Sequence, residues 1–498
     1  MSITHVDLRR GAYHDSVTLL QVSRTVADVA GVEAAQVAMT TELNVEVLTG
    51  MGFEIPEGAG PNDLVVAVRA ADDEAVAAGV AAAEAALAAK APTHSGGFGD
   101  APAPRTTSGA VRAGDAEIAL ISVPGRFATT EALDAIGAGA SVMLFSDNVP
   151  VEDEVRLKDA AAAADVLVMG PDCGTAVIGG VALGFANVVE AGPIGMVAAS
   201  GTGAQQVMCL LDAAGVGISH CLGVGGRDLK TAVGARSTRQ ALAALAADSA
   251  TTSIVVVSKP PDEDVLADVE AYAAGLGLPV RWATLGAGRP DLTTALEAVL
   301  EAEGREVPEW PKWLSDSDPE PASSAGSLRG LFCGGTLADE AMLIAADSLG
   351  DIRSNIPLHD DLALGSDLRD DGHVVIDFGD DGLTQGRAHP MIDPTLRMER
   401  IAAEAQDPTC GVLLLDLVLG FGAHQDPAGE LAEAIRAAKD AARAASRELP
   451  VVVSLTGTEG DPQGLTRTGE TLAAAGASVF LSNRDATRHA LSFLGGTR

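Results

Sequence analysis

From residue 113 onward one theme recurs without a close short-period repeat: a short apolar run, often β-branched, then a small-residue turn, with Ala-rich amphipathic stretches between. Runs of this kind fall at 118–123, 141–145, 166–169, 195–199, 254–257 and 279–284, and again at 330–333, 374–377, 412–416, 451–455 and 478–481. Strands with little polar alternation are buried on both faces, and helices between them act as right-handed crossovers. The constraint is strong. It predicts an α/β chain of multiple Rossmann-like or flavodoxin-like parallel-sheet domains. Aromatic residues make up 3% of the chain against 47% apolar residues, so the cores have to be built from Ala, Val, Leu and Ile. A length of 498 residues accommodates about three or four domains.

The first block differs. Residues 1–90 read as strand (5–9), helix (16–30), strand (33–39), short helix, strand (63–70) and helix (73–89), a small α/β domain. Two stretches without periodicity read as connectors. One is 91–112, rich in Pro, Gly, Ser and Thr; the other is 303–327, with Pro308, Pro311, Pro319 and Pro321. The expected organisation is therefore 1–90, a linker at 91–112, Rossmann-like domains at 113–190 and 191–302, a linker at 303–327 and a last open sheet at 328–498.

A formal charge of −36 argues against nucleic acid, which is held by neutralising phosphates with Lys and Arg. Cys173, Cys209, Cys221, Cys333 and Cys410 include no CxxC pair, so neither a disulfide framework nor a metal site is expected. No apolar run approaches the roughly 18 residues of a membrane span, and no signal-like apolar segment follows Arg9 and Arg10. The expected location is the cytoplasm, away from membranes.

In open parallel sheets ligands sit outside the carboxyl ends of the strands. There the sequence places Ser122-Val123-Pro124-Gly125, Ser146-Asp147-Asn148-Val149-Pro150 and Gly170-Pro171-Asp172-Cys173-Gly174-Thr175. They read either as turn chemistry or as a CoA-like crevice formed by Ser122, Pro124, Gly125, Ser146, Asp147, Asn148, Pro171 and Asp172. Ser200-Gly201-Thr202-Gly203 ends another strand and opens a helix. A helix N-terminus offers unpaired N–H groups to phosphate or carboxylate; the alternative is a cap with glycines for close packing. Gly225-Gly226-Arg227-Asp228 brings a guanidinium beside flexible backbone, and Lys259 ends an apolar strand. Lys259 either snorkels to solvent or fixes a positive charge beside the Ser200 helix and the Arg227 turn. In the last block Asp377-Phe378-Gly379-Asp380-Asp381-Gly382, Gly420-Phe421-Gly422-Ala423-His424 and a loop containing Arg387 and His389 also follow strands. His424 and His389 are each either hydrogen-bonding residues or proton-transfer groups.

These strings, together with Gly11-Ala12-Tyr13-His14-Asp15-Ser16, Ser258-Lys259-Pro260-Pro261 and Ala388-His389-Pro390-Met391-Ile392-Asp393-Pro394-Thr395-Leu396-Arg397, resemble the FdrA family. That family is similar to the succinyl-CoA synthetase superfamily, usually labelled acyl-CoA synthetase. The resemblance implies a CoA-binding and a flavodoxin-like domain of α-subunit type, followed by a ligase domain of β-subunit type. In such ligases two helix N-termini cradle a phosphohistidine. The matching positions are Ser200, Gly201 and Thr202 on one side, and Gly420, Phe421, Gly422 and Ala423 on the other. The chain departs from the pattern three times. The loop Leu285-Gly286-Ala287-Gly288-Arg289-Pro290-Asp291 holds no His, Lys259 stands where the ligases carry Glu, and no stretch reads as an ATP-grasp domain.

The resemblance then implies a subunit of an oxamate-type carbamoyltransferase complex, using carbamoyl phosphate with separate partner subunits and no required cofactor. Ser200, Gly201, Thr202, Gly203, Gly225, Gly226, Gly422 and Ala423 would hold phosphate, with Lys259 and Arg227 as cations and His424 or His389 moving a proton or orienting the donor. Two alternatives stand beside it: an NDP-forming acyl-CoA synthetase using CoA and ATP, and a non-catalytic scaffold subunit. An oligomeric assembly is expected in each case.

Overall fold

The computed structural model describes all residues except 1, 13, 15, 57, 91–103, 317, 319–325, 385–387 and 495–498. Tyr13, Asp15, Pro319, Pro321, Arg387 and most of the first expected linker lie outside the described residues. The chain divides into two compact units, one of residues 1–102 with 384–388, the other of 103–383 with 389–498.

In the first unit β1 (Ile3–Arg9), β2 (Val32–Met39) and β3 (Leu64–Ala70) form an antiparallel sheet in the order β1-β3-β2. Strand β3 is central because both its faces are apolar. Val66 and Val68 pack with Leu19, Val22, Val26, Ala83 and Leu87 from the helices Ser16–Ala27 and Asp73–Lys90. Val65 and Ala67 face Leu48 and Phe53 on the other side. Period-2 alternation thus buries two layers from one strand.

The second unit carries three sheets. Strands β4 (Ile118–Ile121), β5 (Ser141–Leu144) and β6 (Val168–Met169) are parallel. The next six are β7 (Thr175–Ile178), β8 (Val181–Gly184), β9 (Ala191–Ala199), β10 (Ile218–Gly223), β11 (Ser253–Ser258) and β12 (Val280–Thr284), in the order β12-β11-β9-β10-β7-β8. The last sheet has β13 (Lys312–Trp313), β14 (Ser327–Phe332), β15 (Ile352–Ser354), β16 (His373–Asp377), β17 (Cys410–Val418), β18 (Val451–Thr456) and β19 (Ser478–Phe480), in the order β13-β19-β18-β17-β14-β16-β15. Its neighbours run parallel except β13 against β19.

Three local readings change. The β7–β8 hairpin pairs antiparallel with the edge of β10, so residues 175–184 extend the second sheet rather than the first. The helix Thr107–Gly114 occupies part of the expected first linker, capped by Thr106 and tied through Ser108 N–H to Asp134. Within 303–327, β13 adds an edge strand to the last sheet. All three depend on partners distant in sequence, which local composition does not encode.

The six- and seven-stranded sheets share one core. Met196, Leu210 and Leu211 belong to the same buried cluster as Leu415, Leu417, Leu455 and Leu481. Polar groups cross between them as well: Asn187 Nδ2 donates to Asp461 at 2.7 Å and Gln206 Nε2 to Leu481 O at 2.9 Å. The joint between these sheets brings the ends of β9 and β11 opposite those of β14 and β16. No helix among the described residues is long and apolar enough to cross a membrane.

Candidate functional site

The site is built on two helix starts. Ser200 leaves β9 in an extended conformation and caps the helix Gly201–Ala213, its Oγ accepting from Gly203 N–H at 3.0 Å. The same hydroxyl shares a 2.7 Å hydrogen bond with Thr336 in the first turn of the helix Gly335–Leu349. A methyl on Gly203 would lie 2.9 Å from Thr336 Cγ2, and one on Gly334 would lie 2.8 Å from Thr202 Oγ1. Two N-termini with positive dipole ends therefore meet. The partner of the Ser200 helix is Cys333-Gly334-Gly335-Thr336, not Gly420-Phe421-Gly422-Ala423. The helix after that second string starts only at Pro427, with Asp426 as its cap. Gly420 and Gly422 instead turn with positive φ against Ala186 and the Phe185 ring, and Ala423 is half-buried beside them.

An internal clamp fixes the second helix start. Asp416, fully buried in β17, accepts from Cys333 N–H at 2.8 Å and Gly334 N–H at 2.9 Å, while Arg397 Nη1 reaches its Oδ1 at 3.0 Å. Arg397 belongs to the helix Thr395–Gln406, so one carboxylate ties strand, turn and helix together.

Beside this turn stand Lys259, Asp377 and His389. Lys259 follows β11, Asp377 ends β16, and His389 lies in the loop before the Arg397 helix. Gly335 and Gly379 make their approach possible. A methyl on Gly335 would fall 2.5 Å from Asp377 Oδ2 and 2.9 Å from Lys259 Nζ; one on Gly379 would fall 2.8 Å from His389 Nε2 and 3.1 Å from Asp377 Oδ1. Asp377 is 4% exposed, and Oδ1 accepts from Gly379 N–H at 2.9 Å. Asn355 holds its backbone from both sides, at 2.8 and 2.9 Å.

Burial pushes the Asp377 carboxyl up to about 7, with Lys259 and the Gly379 bond opposing and Asp416 and Asp339 adding to the rise. Lys259 is half-buried. Burial disfavours its ammonium, but Asp339, Asp377, Asp172 and Asp380 together hold its pKa above the ordinary lysine value. Burial lowers His389 to about 4. Its Nδ1 accepts from Met391 N–H at 3.3 Å and its ring lies 5.4 Å from Phe185. A neutral imidazole that accepts at Nδ1 carries its proton on Nε2.

The three turns expected to form a crevice do come together. Ser146 Oγ donates to Val123 O at 2.5 Å, Asp172 N–H donates to Ser146 O at 3.0 Å, and a methyl on Gly125 would lie 2.3 Å from Asp147 O. Ser122, Pro124 and Asn148 are exposed, Asp147 is half-buried and Pro171 is buried. Asp172 remains open to solvent, yet surrounding protein desolvates it enough to raise its pKa to about 6. Asp381 and Asp147 add to that rise; Lys259 and Arg227 oppose it.

The cations are placed differently from the sequence expectation. Carboxylates surround Lys259, so it brings no spare positive charge to the joint beyond the two helix dipoles. Arg227 is committed: it donates to Val149 O at 2.8 Å and pairs with Glu154 at 2.9 Å. Gly225 lets its turn lie against Pro171, where a methyl would sit 2.5 Å from the carbonyl oxygen; Gly226 has open space. The Ser200 hydroxyl is spent on Gly203 and Thr336, leaving Gly201 and Thr202, both half-buried, as the accessible part of that helix start. His424 is engaged elsewhere: Nδ1 accepts from Asp426 N–H at 3.1 Å and Nε2 lies 3.8 Å from Glu430. Among the described residues no group of three or more His, Cys, Asp or Glu side chains is placed to hold a metal.

Sequence reasoning missed Asp339, Asp416 and the Gly335 turn, and did not single out Asp377 from its turn. The available signal was a polar residue inside or ending an apolar strand, as Asp377 and Asp416 are.

Comparison with known proteins follows the same division of the chain. A family model described as "AllF, heavy metal-associated domain" matches residues 1–104, and one described as "CoA-ligase" matches 331–493. The Escherichia coli (strain K12) protein YahF, described as uncharacterized, is 37% identical over 511 residues, covering 98% of each chain. A subunit alpha of an ADP-forming succinate–CoA ligase from Archaeoglobus fulgidus is 30% identical over 184 residues, 34% of this chain and 63% of that protein. Among solved structures, PH0766 from Pyrococcus horikoshii OT3 aligns at 16% identity with a TM-score of 0.29, over 76% of this chain and 83% of the other.

Proposed function

The chain belongs to the FdrA-like family that includes YahF, within the CoA-ligase superfamily, and from that premise we propose that it is an acyl-transferring subunit that takes its acyl group from a phosphate mixed anhydride without a phosphohistidine. The observation that carries this reading is the placement of Lys259 and Asp377 at the meeting point of two helix starts. The loop at 285–291 holds no His, and Arg289 within it pairs with Glu263 at 2.7 Å. A mixed anhydride already contains its activated bond, so no covalent relay is needed.

The acceptor attacks the carbonyl carbon, the carbon–oxygen bond to phosphate breaks, and the acceptor's proton leaves with the products. Lys259 and the two helix dipoles would stabilise the departing phosphate, a contribution largest where water is excluded. With CoA as acceptor, the turns at 122–125, 146–148 and 171–172 would hold it, and the chain would act as the superfamily's acyl-CoA synthetases do in their acyl-transfer step.

A second reading takes carbamoyl phosphate as donor and oxamate as acceptor, releasing oxalurate and phosphate with no cofactor. A small donor of this kind would need only the groups set over Gly335 and Gly379, namely Lys259, Asp377 and His389. Separate subunits would complete the assembly, and the distinct unit formed by residues 1–102 is a suitable docking module.

Phosphate release tests both readings, using the purified chain alone and with the products of neighbouring genes. Acetyl phosphate with CoA addresses the first reading and carbamoyl phosphate with oxamate the second. Release that requires the acceptor is the expected result. An acid-labile phosphate adduct on the chain, found by mass spectrometry, would contradict transfer without a phosphohistidine, and no release from any combination would remove both readings.

A further inference from the structure

Several buried acids surround the joint, and most have their oxygens occupied. Asp416 accepts from two N–H groups and Arg397. Glu340 accepts from Leu292 N–H and Asn483 Nδ2, both at 2.6 Å. Asp228 accepts from Lys158 at 2.7 Å and caps Ser237 and Thr238. Asp377 differs. Its Oδ1 takes one bond from Gly379, while Oδ2 has no hydrogen-bond partner among the described residues and opens over Gly335 toward Lys259. Asp377 as a residue is 4% exposed, yet Oδ2 is not sealed from solvent, so it can meet a ligand's proton in the joint.

We infer that Asp377 is the catalytic proton-transfer group, its Oδ2 taking the acceptor's proton while Lys259 Nζ faces the departing phosphate and His389 Nε2–H donates to the carbonyl oxygen. This rests on the acyl-transfer reading above and adds the residue that performs the step. The step balances. The acceptor's S–H or N–H proton passes to Oδ2 as the new bond to carbon forms. The C–O bond then breaks, its electron pair leaves on phosphate, and the proton is returned so that phosphate departs as HPO4²⁻. No oxidant, metal or nucleotide enters.

The groups facing Asp377 set its pH behaviour. They are Lys259 at the end of β11, Asp339 on the Gly335 helix, Asp416 on β17 with Arg397 behind it, and His389 and Cys333 across Gly379. Burial with these neighbours leaves the carboxyl titrating at about 7. Only the ionised form accepts a proton, so kcat/KM should rise with pH through that region.

The test uses the full-length protein with its neighbouring subunits. Asp377→Asn keeps the oxygen that accepts from Gly379 and removes only the basicity. It should lower kcat on the order of a hundredfold to ten-thousandfold, leave the donor KM little changed and abolish the rise near pH 7. Activity within threefold of the unmodified protein, or a retained rise, would overturn the assignment. Asp377→Glu provides a second variant should the Asn form not fold, and should keep the pH-dependent rise at reduced rate; loss of that rise counts against the assignment.

If the unmodified protein turns over no donor, the proposed function fails on its own, and inorganic phosphate decides the inference. Calorimetric titration in two buffers of different ionisation heat at pH 8 should show proton uptake on phosphate binding that disappears in Asp377→Asn. Equal uptake in both proteins, or no phosphate binding, removes Asp377 from the role.

Discussion

Lys259 carries one positive charge among four acidic neighbours, Asp339, Asp377, Asp172 and Asp380. Removing it has two consequences. Lys259→Met keeps the apolar stem and takes away the charge facing the departing phosphate. A charge-assisted hydrogen bond of about 1.5–3 kcal/mol then disappears, so the KM for the phosphate donor should rise roughly tenfold to a hundredfold. Lys259→Glu should be worse than Lys259→Met, because it adds another carboxylate to an acidic joint. Donor titrations of both variants by phosphate release check the order; equal binding by Lys259→Glu and the unmodified protein would be incompatible with the assignment. The sequence marked Lys259 as a charge at a strand end. It did not mark its neighbours, because Asp339 and Asp377 lie 80 or more positions away and meet it only when two sheets pack together.

The element that most depends on one residue is the helix Gly335–Leu349. Its start is held by Asp416, which satisfies two backbone N–H groups and neutralises Arg397. Asp416→Ala would leave Arg397, 2% exposed, as an unpaired buried cation. Breaking such a pair costs about 3–5 kcal/mol. Thermal melts should show a clear loss of stability in Asp416→Ala and a smaller one in Asp416→Asn, which keeps one acceptor. A melting curve unchanged in both would mean that the clamp is not what holds the turn. Strands and helices here were legible from periodicity, including β9 and the helix after Ser200. Which second helix start faces Ser200 was not. The Gly420 string and the Cys333 string are both glycine-rich turns after strands, and only the order β17-β14-β16 puts the second of them at the joint.

Across the molecule, several buried acids have raised pKa values: Glu340 to about 7, Asp377 to about 7 and Asp339 to about 6. Burial is the first cause in each. Their ordinary values are 4.5, 3.8 and 3.8. A group raised on folding stabilises the fold fully below its unfolded pKa and loses that contribution as pH rises through the folded value. The second unit should therefore melt higher at pH 5 than at pH 8. Glu340→Gln should flatten this dependence by about a degree or two. Scanning calorimetry across that range is the check, and a melting temperature that rises from pH 5 to 8 would contradict it. The same scans should show two transitions in the full chain, one for each compact unit. Residues 103–498 alone should melt in a single transition, since their two large sheets share one buried cluster.

By itself the sequence determined the α/β class, the parallel strands, the small first domain and the placing of glycine-rich turns at strand ends. These follow from local periodicity, turn chemistry and the shortage of aromatic residues, which act over a few positions at a time. The tertiary structure decided that β7 and β8 join the second sheet, that Arg227 is paired with Glu154, and that Gly335 and Gly379 let Lys259, Asp377 and His389 converge. Those outcomes depend on which distant surfaces are buried together. Burial sets the dielectric and brings charges within reach, so the protonation of Asp377 and the balance of Lys259 exist only after the sheets have packed.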